Sequence, residues 1–360
     1  MTPESEAHLA DLVRGANGPL SVRGGGTRHM PGAGDALTTA GLTGITLYEP
    51  GALTLVARAG TPMSEIEAAL AAENQRLPFE PMDHRPLLGT DGAPTIGGVV
   101  AMNASGPRRI QAGACRDSLI GVRFVNGEGA VIKNGGRVMK NVTGYDLVKL
   151  LAGSRGRLGV LTEVSFKVLP AAATQVTLTL TGLSVEEGVR AMSAALASPF
   201  EVTAAAHDPQ AGQTTLRLEG LAGSVTYRAK ELARVLAPFG TAAQAEGDAS
   251  AATWATIRDA RPIAGEGDIW RVSVRPSLGP DVVARAGAQA ALLDWGGGLV
   301  WVRVEAGTDL RARLDGLSGT ATRVRGTGPG ALHPPSHAVA RLEQGIAAKF
   351  DPKGLFAGAA

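Results

Sequence analysis

Three glycines spaced three apart, Gly153, Gly156 and Gly159, run straight into an apolar stretch from Val160 to Leu169. They follow the polar segment Lys140-Asn141-Val142-Thr143-Gly144-Tyr145-Asp146-Leu147. Glycines at that density let backbone approach a ligand closely and leave N–H groups facing an acceptor. A second cluster, Val22-Arg23-Gly24-Gly25-Gly26-Thr27-Arg28, offers consecutive amides as a nest for a pyrophosphate. Thr27 adds a hydroxyl donor, and Arg23 or Arg28 adds charge to neutralise phosphate. A third, Thr95-Ile96-Gly97-Gly98, leads through small residues to Asn103-Ala104-Ser105-Gly106. Small residues beside hydrogen-bonding side chains suit a flat heteroaromatic ring. Each cluster alone also reads as a glycine-rich turn or a tight helix–loop contact. Together they suggest one long phosphate-bearing cofactor gripped at several separated points.

The commoner nucleotide loops are absent. After Gly24 and Gly26 the third position of a dinucleotide fingerprint holds His29, with no clear helix following. No Gly-Lys pair occurs, so there is no Walker A loop. The single cysteine, Cys115, excludes an intrachain disulfide and a cysteine-ligated cluster, and reads as a small buried residue. His333 and His337 are separated by Pro334 and Pro335, which argues against a helical metal pair. His84 falls in a polar loop just before the third cluster and reads as solvated. No catalytic residue and no metal site is assigned.

The bulk numbers fit a globular protein: 44% apolar, 19% charged, net charge +2, without blocks of like charge. That balance gives no basic field for nucleic acid or lipid. The acidic, polar start is unlike a signal peptide, and no apolar run reaches the ~20 residues of a membrane span. A reducing cytoplasm is expected, with any membrane attachment, at the inner face, coming through partners.

These loops need elements to position them. A helix is predicted over 2–14, capped by Thr2, and a strand over 20–23 leads into the first glycines. Strands are expected at 44–48 and 53–59, then a helix capped by Thr61, a hairpin at 119–125 and 130–133, and a strand over 161–169. Beyond Pro170 the pattern changes to a strand at 175–181, a helix opened by the Ser184–Glu187 capping box, strands at 200–206 and 213–219, and a helix at 224–236. That order begins a ferredoxin-like unit. Strands follow at 269–275 and 299–305, carrying Arg271, Arg275 and Arg303. Alternating arginines of this kind suit a solvated face, or hold a carboxylate. A last helix places Val339, Leu342 and Ile346 on one side. No internal repeat is visible. The expected division is 1–171, 172–328 and a C-terminal segment, 329–360, that returns to the first domain.

Three glycine clusters in this order resemble the FAD-binding domain of the vanillyl-alcohol oxidase/p-cresol methylhydroxylase superfamily. The resemblance rests on Arg23 to Thr27, on Ile96-Gly97-Gly98 with Asn103 to Gly106, on Thr143 to Leu147 with Gly153 to Val160, and on the terminal Phe350-Asp351-Pro352-Lys353-Gly354-Leu355-Phe356. Within it, Met139 to Leu147 and the small second domain are similar to the FAD-binding E subunits of bacterial glycolate oxidases. The resemblance implies an α+β fold: a two-subdomain FAD-binding domain and a smaller ferredoxin-like α+β cap domain. It implies an FAD-dependent oxidoreductase subunit, with a catalytic flavoprotein subunit and an iron–sulfur subunit as partners and a small 2-hydroxy acid as substrate. Members that tether the ring have histidine after the paired glycines; Thr27 here implies noncovalent FAD. The cofactor-binding positions carried over are Arg23, Gly24, Gly25, Gly26, Thr27, Thr95, Gly97, Gly98, Asn103, Ser105, Gly106, Asp146, Gly159 and Val160. One departure stands out. The metal-binding histidine run of the family's D-2-hydroxyacid dehydrogenases is missing, and the second domain has one histidine, His207.

Overall fold

The structure is a computed structural model and describes residues 1–28, 34–136, 144–327 and 330–356. The run Met139 to Thr143, which contributed to the resemblance, lies outside the described residues.

α1 (Glu6–Gly15) is capped by Ser5, whose hydroxyl accepts from the His8 amide at 3.1 Å. Thr2 is passed over as cap because Pro3 is buried beside Gly41 instead of entering the helix. β1 (Leu20–Arg23) pairs in parallel with β2 (Asp35–Thr38). β3 (Ile45–Glu49) and β4 (Thr54–Arg58) form a hairpin, followed by α2 (Met63–Ala72) and the short β5 (Gln75–Arg76). Four short helices come next: α3 (Arg85–Leu88), α4 (Ile96–Met102), α5 (Arg109–Ala112) and α6 (Cys115–Ser118). β6 (Leu119–Val125), β7 (Val131–Gly135), α7 (Leu147–Leu151) and β8 (Val160–Lys167) complete a five-stranded antiparallel sheet in the order β3-β4-β8-β6-β7. Its apolar face packs Phe79, Phe124 and Phe166 with Ile66, Leu70 and the fully buried Cys115. β9 (Leu169–Pro170) then pairs with β5.

The second half is one eight-stranded sheet. β10 (Thr174–Leu180), α8 (Val185–Leu196), β11 (Ala204–Asp208), β12 (Gln213–Gly220), α9 (Ala222–Leu236) and β13 (Ala243–Glu246) assemble in the order β13-β10-β12-β11, the expected ferredoxin-like unit. The Ser184 capping box is formed in both directions, at 2.9 and 3.2 Å. After α10 (Gly247–Arg258) the same connectivity recurs. β14 (Asp268–Val274), α11 (Gly279–Ala286), β15 (Ala290–Asp294), β16 (Leu299–Val304), α12 (Leu310–Arg313) and β17 (Gly319–Arg325) lie in the order β15-β16-β14-β17. The two units meet edge to edge where His207 of β11 pairs with Leu293 of β15. The repeat not visible in the sequence is therefore present in the topology.

Two features tie the halves together. The tail returns through α13 (His337–Phe350): Phe350 stacks on Phe124 at 6.0 Å, and Leu355 and Phe356 are buried with Leu9 and Leu20. Asp351 fixes that turn by accepting from the Leu355 and Phe356 amides at 2.9 and 2.6 Å. The second tie is a buried ion network. Arg217 on β12 makes a bidentate pair with Glu80 at 2.8 and 2.9 Å, and Glu219 on the same strand takes Arg76, Arg108 and Arg217. Burial pushes the Glu219 carboxyl up, but Arg217, Arg108 and Arg76 pull harder and hold it at about 2. Burial lowers Arg108 to about 10, still far above neutral, so both sides of the network are charged at pH 7.

A carboxylate held at about 2 against an ordinary 4.5 contributes stability that is complete above pH 4.5 and is lost as pH falls toward 2. Glu219→Gln is expected to lower the unfolding free energy at pH 7 by about 3–5 kcal/mol, since it strands buried guanidiniums. It is also expected to flatten the acid limb. Urea melts across pH 2 to 7 check both, and a variant as stable as the parent at pH 7 contradicts the ionised network.

Candidate functional site

β1 ends at Arg23 and the chain turns through Gly24–Thr27. A Cβ on Gly24 would strike the Thr95 hydroxyl, and one on Gly25 the Ala93 carbonyl. The loop therefore lies against segment 92–98 at a distance that only glycine allows. Gly26, at φ +72°, needs glycine for its conformation instead. The amides of Gly25, Gly26 and Thr27 meet no acceptor among the described residues. Opposite them, Thr95 caps α4 by accepting from the Gly98 amide at 3.3 Å, and the Gly97 amide donates to Ala59 O at 2.8 Å.

Arg28 reaches across this gap. Its Nη1 lies 3.2 Å from where a Gly98 Cβ would stand, and its Nε donates to Nδ1 of His84 at 3.1 Å. Arginine only donates, so His84 accepts at Nδ1 and its neutral form carries the proton on Nε2. Burial, and then the Arg28 charge, hold the His84 imidazole well below its ordinary 6.5. Burial lowers Arg28 itself to about 10, so it remains a cation at neutral pH. His84 is thus a fixed support for Arg28, which corrects the expectation of a solvated loop histidine.

The space between these elements forms two lobes. The first, ≈430 Å³, is walled by Arg23–Arg28, Thr95, Gly97, Gly98, Ser154–Gly156, Gly159 and Phe356. The second, ≈390 Å³, lies between the loop at Met82–Leu88, the end of α4, and the cap strands at Arg271, Trp301 and Thr322–Gly326. Arg28, Met102 and Arg155 line both, so the lobes adjoin. Among the described residues neither wall contains an aspartate or glutamate. In the second lobe Arg109 and Arg271 lie over the ring of Trp295, at 4.4 and 5.1 Å, and the indole Nε1 donates to Gly106 O at 3.0 Å. Burial, then Arg109 and Arg155 beside it, lower Arg271 to about 10. Burial also lowers Arg109 and Arg155.

Of the sequence candidates, Arg23, Gly24, Gly25, Gly26, Thr27, Thr95, Gly97, Gly98 and Gly159 come together in the first lobe. Asn103 and Ser105 reach the second, where both also brace the chain: Asn103 Oδ1 accepts from the Arg116 amide and Ser105 Oγ from the Cys115 amide, each at 2.9 Å. Three lie outside both lobes. Asp146 caps α7, accepting from the Lys149 amide at 3.0 Å. Val160 is buried in the apolar cluster with Leu9 and Leu20. Gly106 is packed against the Glu80 carbonyl. Arg155, Met102 and Phe356 line the lobes without having been singled out by their sequence context, whereas His84 lies beside the third cluster as its position suggests, and Arg271, for which both a solvated face and a carboxylate-holding role are open, lines the second lobe. Arg275 is exposed and Arg303 donates to Glu266 O, so neither joins it. Among the described residues no group of His, Cys, Asp and Glu is placed to hold a metal.

Residues 1–135 match the FAD binding domain family. The chain is 35% identical to glycolate oxidase subunit GlcE of Escherichia coli (strain K12) over 344 residues, spanning 94% of this chain and 91% of that protein. The chain belongs to the vanillyl-alcohol oxidase/p-cresol methylhydroxylase-type FAD-binding superfamily. It is also 43% identical to glycolate oxidase subunit GlcD of Bacillus subtilis (strain 168) over 84 residues, 23% of this chain and 18% of that one. Its fold matches alkyldihydroxyacetonephosphate synthase with a TM-score of 0.71 over 99% of this chain and 76% of that one, at 15% identity, a likeness of fold alone. As a member of this superfamily it is an FAD-dependent oxidoreductase. The first lobe suits that cofactor: it presents amides that meet no acceptor among the described residues beside a half-buried guanidinium, where a pyrophosphate needs both.

Arg28 is the half-buried cation of this lobe and Arg23 an exposed one. A hydrogen bond to a charged group contributes about 1.5–3 kcal/mol. Arg28→Gln is therefore expected to weaken FAD binding by about 10- to 100-fold, and Arg23→Gln by less than about threefold, because exposed charges are screened. Flavin fluorescence titration of the apoprotein measures both. Equal losses would overturn the ranking.

Proposed function

We propose that this chain is the FAD-binding subunit of a complex that oxidises a small 2-hydroxy acid of the glycolate kind. FAD is held noncovalently, and electrons leave to an iron–sulfur partner. The observation that carries this reading is the second lobe, lined by Arg109, Arg155 and Arg271 with no carboxylate among its described residues, and adjoining the cofactor lobe. The full-length likeness to a protein named as a glycolate oxidase subunit supports the same class.

When bound, FAD supplies the hydride acceptor. The amides of Gly24–Thr27, the Thr95 hydroxyl and the small surface at Gly97 and Gly98 would hold its pyrophosphate, and Arg28 would neutralise it. Arg271 and Arg109 would bind the substrate carboxylate by charge-assisted hydrogen bonds, oriented by the Trp295 ring between them and Gly106. The cofactor half spans 1–171, the cap 172–328, and 329–360 returns to the cofactor half. Nothing about the described helices requires a membrane: none is long and apolar enough to cross one. A cytoplasmic protein attached through its partners follows from the resemblance.

Oxidation of a hydroxyl also needs a proton acceptor. His84, the one histidine that the described residues place on the walls of either lobe, already accepts from Arg28, and His207 is buried against Thr214 at 2.9 Å. That favours a chain that turns over within an assembly above a self-sufficient dehydrogenase. The test is a visible spectrum of the chain purified alone, followed by anaerobic glycolate or D-lactate. A yellow protein that stays yellow until a catalytic partner subunit is added is the expected result. Bleaching of the isolated chain supports self-sufficient turnover, and a colourless protein that resists reconstitution with FAD sinks the reading.

A further inference from the structure

Asp294 ends β15 as a carboxylate that is 3% exposed and belongs to no salt bridge among the described residues. Its Oδ1 accepts from the Trp295 amide at 2.7 Å. In the turn that starts there, Trp295, Gly296 and Gly297 take φ of +54°, +68° and +104° in succession. Glycine does this freely, a tryptophan at a cost. The Asp294 carboxyl therefore makes the first bond of the turn that aims the indole at Gly106 O, with Arg109 and Arg271 over its ring.

Strand alternation puts Asp294 between two cations. Leu216 and Leu218 on β12, Leu293 on β15, and Trp270 and Val272 on β14 all enter the helix-covered core of the cap. Arg217, Asp294 and Arg271 therefore share the opposite face of the sheet, toward the loop at Met82–Leu88. In the order β12-β11-β15-β16-β14, Arg217 is two strands to one side and Arg271 two strands to the other, each about 10 Å across the sheet. On β11, Ala204 pairs with Arg217, and one step from the His207–Leu293 pair Ala206 falls beside Asp294. Only methyl groups stand between that carboxyl and Arg217 on β11.

Of the charged groups on the elements around it, Arg217 and Arg271 attract the carboxylate and Glu80 repels it. Arg109 lies on the Trp295 ring. Asp208 on β11 accepts from Gln210, Arg261 pairs with Asp259, and Arg303 on β16 donates to Glu266 O. His207, against Gly188, and the charged residues of α8 belong to the helix-covered side. Burial outweighs the attraction and pushes the Asp294 carboxyl up to about 7. His84, His207 and His333 all lie below their ordinary 6.5, and Arg271, at about 10, remains a cation. Through neutral pH the charge beside the lobe thus changes at Asp294.

Resting on the reading of the second lobe as a carboxylate site, we propose that Asp294 is a positioning residue for that anion: it holds the Trp295 turn on which Arg109 and Arg271 lean, and it takes up a proton from solvent when the anion binds. A neutral carboxyl keeps an acceptor oxygen for the Trp295 amide, so the turn survives the proton. An anion on Arg271 is a like charge to ionised Asp294 and favours its neutral form. The coupling is reciprocal. The anion binds more tightly where Asp294 is already neutral, below about pH 7, and more weakly as pH rises through that value.

The test titrates the FAD-loaded protein anaerobically with acetate and with glycolate, both ionised from pH 6 to 8. Calorimetry in zwitterionic buffers of different ionisation enthalpy counts the protons. Binding is expected to be about three- to tenfold tighter at pH 6 than at pH 8, with proton uptake near neutral pH. Asp294→Asn keeps an acceptor for the Trp295 amide and is expected to bind equally at both pH values without uptake. Affinity independent of pH in the parent overturns the coupling and leaves the lobe as an anion site. A pH dependence that persists in the variant overturns the assignment to Asp294. Absence of binding at every pH, with flavin absorbance intact, fails the reading of the lobe itself. Should the variant not fold, infrared difference spectra of the parent with and without acetate decide in its place: a gained protonated-carboxyl band supports the coupling, and its absence overturns it.

Discussion

The bidentate pair between Glu80 and Arg217, with Glu219 gathering Arg76 and Arg108 beside it, sets where the cap stands over the cofactor half. Everything at the second lobe depends on that placement. The lobe's walls come from both halves, the loop at Met82–Leu88 and the end of α4 from one, β14, β16 and β17 from the other. Buried ion pairs add little net stability over apolar packing, because desolvation consumes most of the attraction. They are strict about geometry. A cap shifted by a hydrogen-bond length would leave Arg217, stacked 4.8 Å from the Trp254 ring and nearly inaccessible, without its carboxylate. An apolar interface would tolerate that slip; this one does not.

Two sets of arginines therefore lie within one molecule under opposite conditions. Around Glu219 every buried guanidinium has a carboxylate: opposite charge raises Arg217 despite its burial, although burial still lowers Arg108 to about 10. Around Trp295 the guanidiniums have each other and an aromatic face, and burial lowers them. Cation–π contact contributes of the order of 0.5–2 kcal/mol, less than a buried carboxylate does. The second set is electrostatically unfinished in a way that the first is not, and that contrast is what marks it as a place for a ligand.

How much of this was legible in the sequence follows from distance along the chain. The glycine loop at Gly24–Gly26 and the Thr95–Gly98 turn are local, and their composition announces close backbone approach. The first ferredoxin-like unit is legible for the same reason, since its strands alternate and its helix carries a capping box. The second unit is not: β15 is Ala-Ala-Leu-Leu-Asp, buried throughout and too short to show a period, and β17 is mostly polar. Of the arginines of the second lobe, Arg28 and Arg271 can be named from the sequence as candidate anion partners, but Arg109 and Arg155 cannot, because the four meet only after four segments converge. Asp146 is ambiguous for a different reason. A carboxylate next to a glycine motif looks like a ligand, but an aspartate three residues before a lysine amide is equally an N-cap.

Trp295 shows how residues off the cavity wall still act on it. It is held at φ +54°, a region costly for a bulky side chain, at the turn between β15 and β16. That backbone places the indole so that its N–H reaches Gly106 O while Arg109 and Arg271 lean on the ring. Gly106 can receive it only because it lacks a side chain, since a Cβ there would strike Glu80 O. Glu80 is the residue whose carboxylate fixes Arg217. One residue thus joins the ion network to the second lobe: its side chain sets the cap, and its backbone presses on the glycine that anchors the tryptophan. The Asn-Ala-Ser-Gly turn is in that sense a structural link between the two arginine sets, and its glycine bears on the second lobe through Trp295 without lining it.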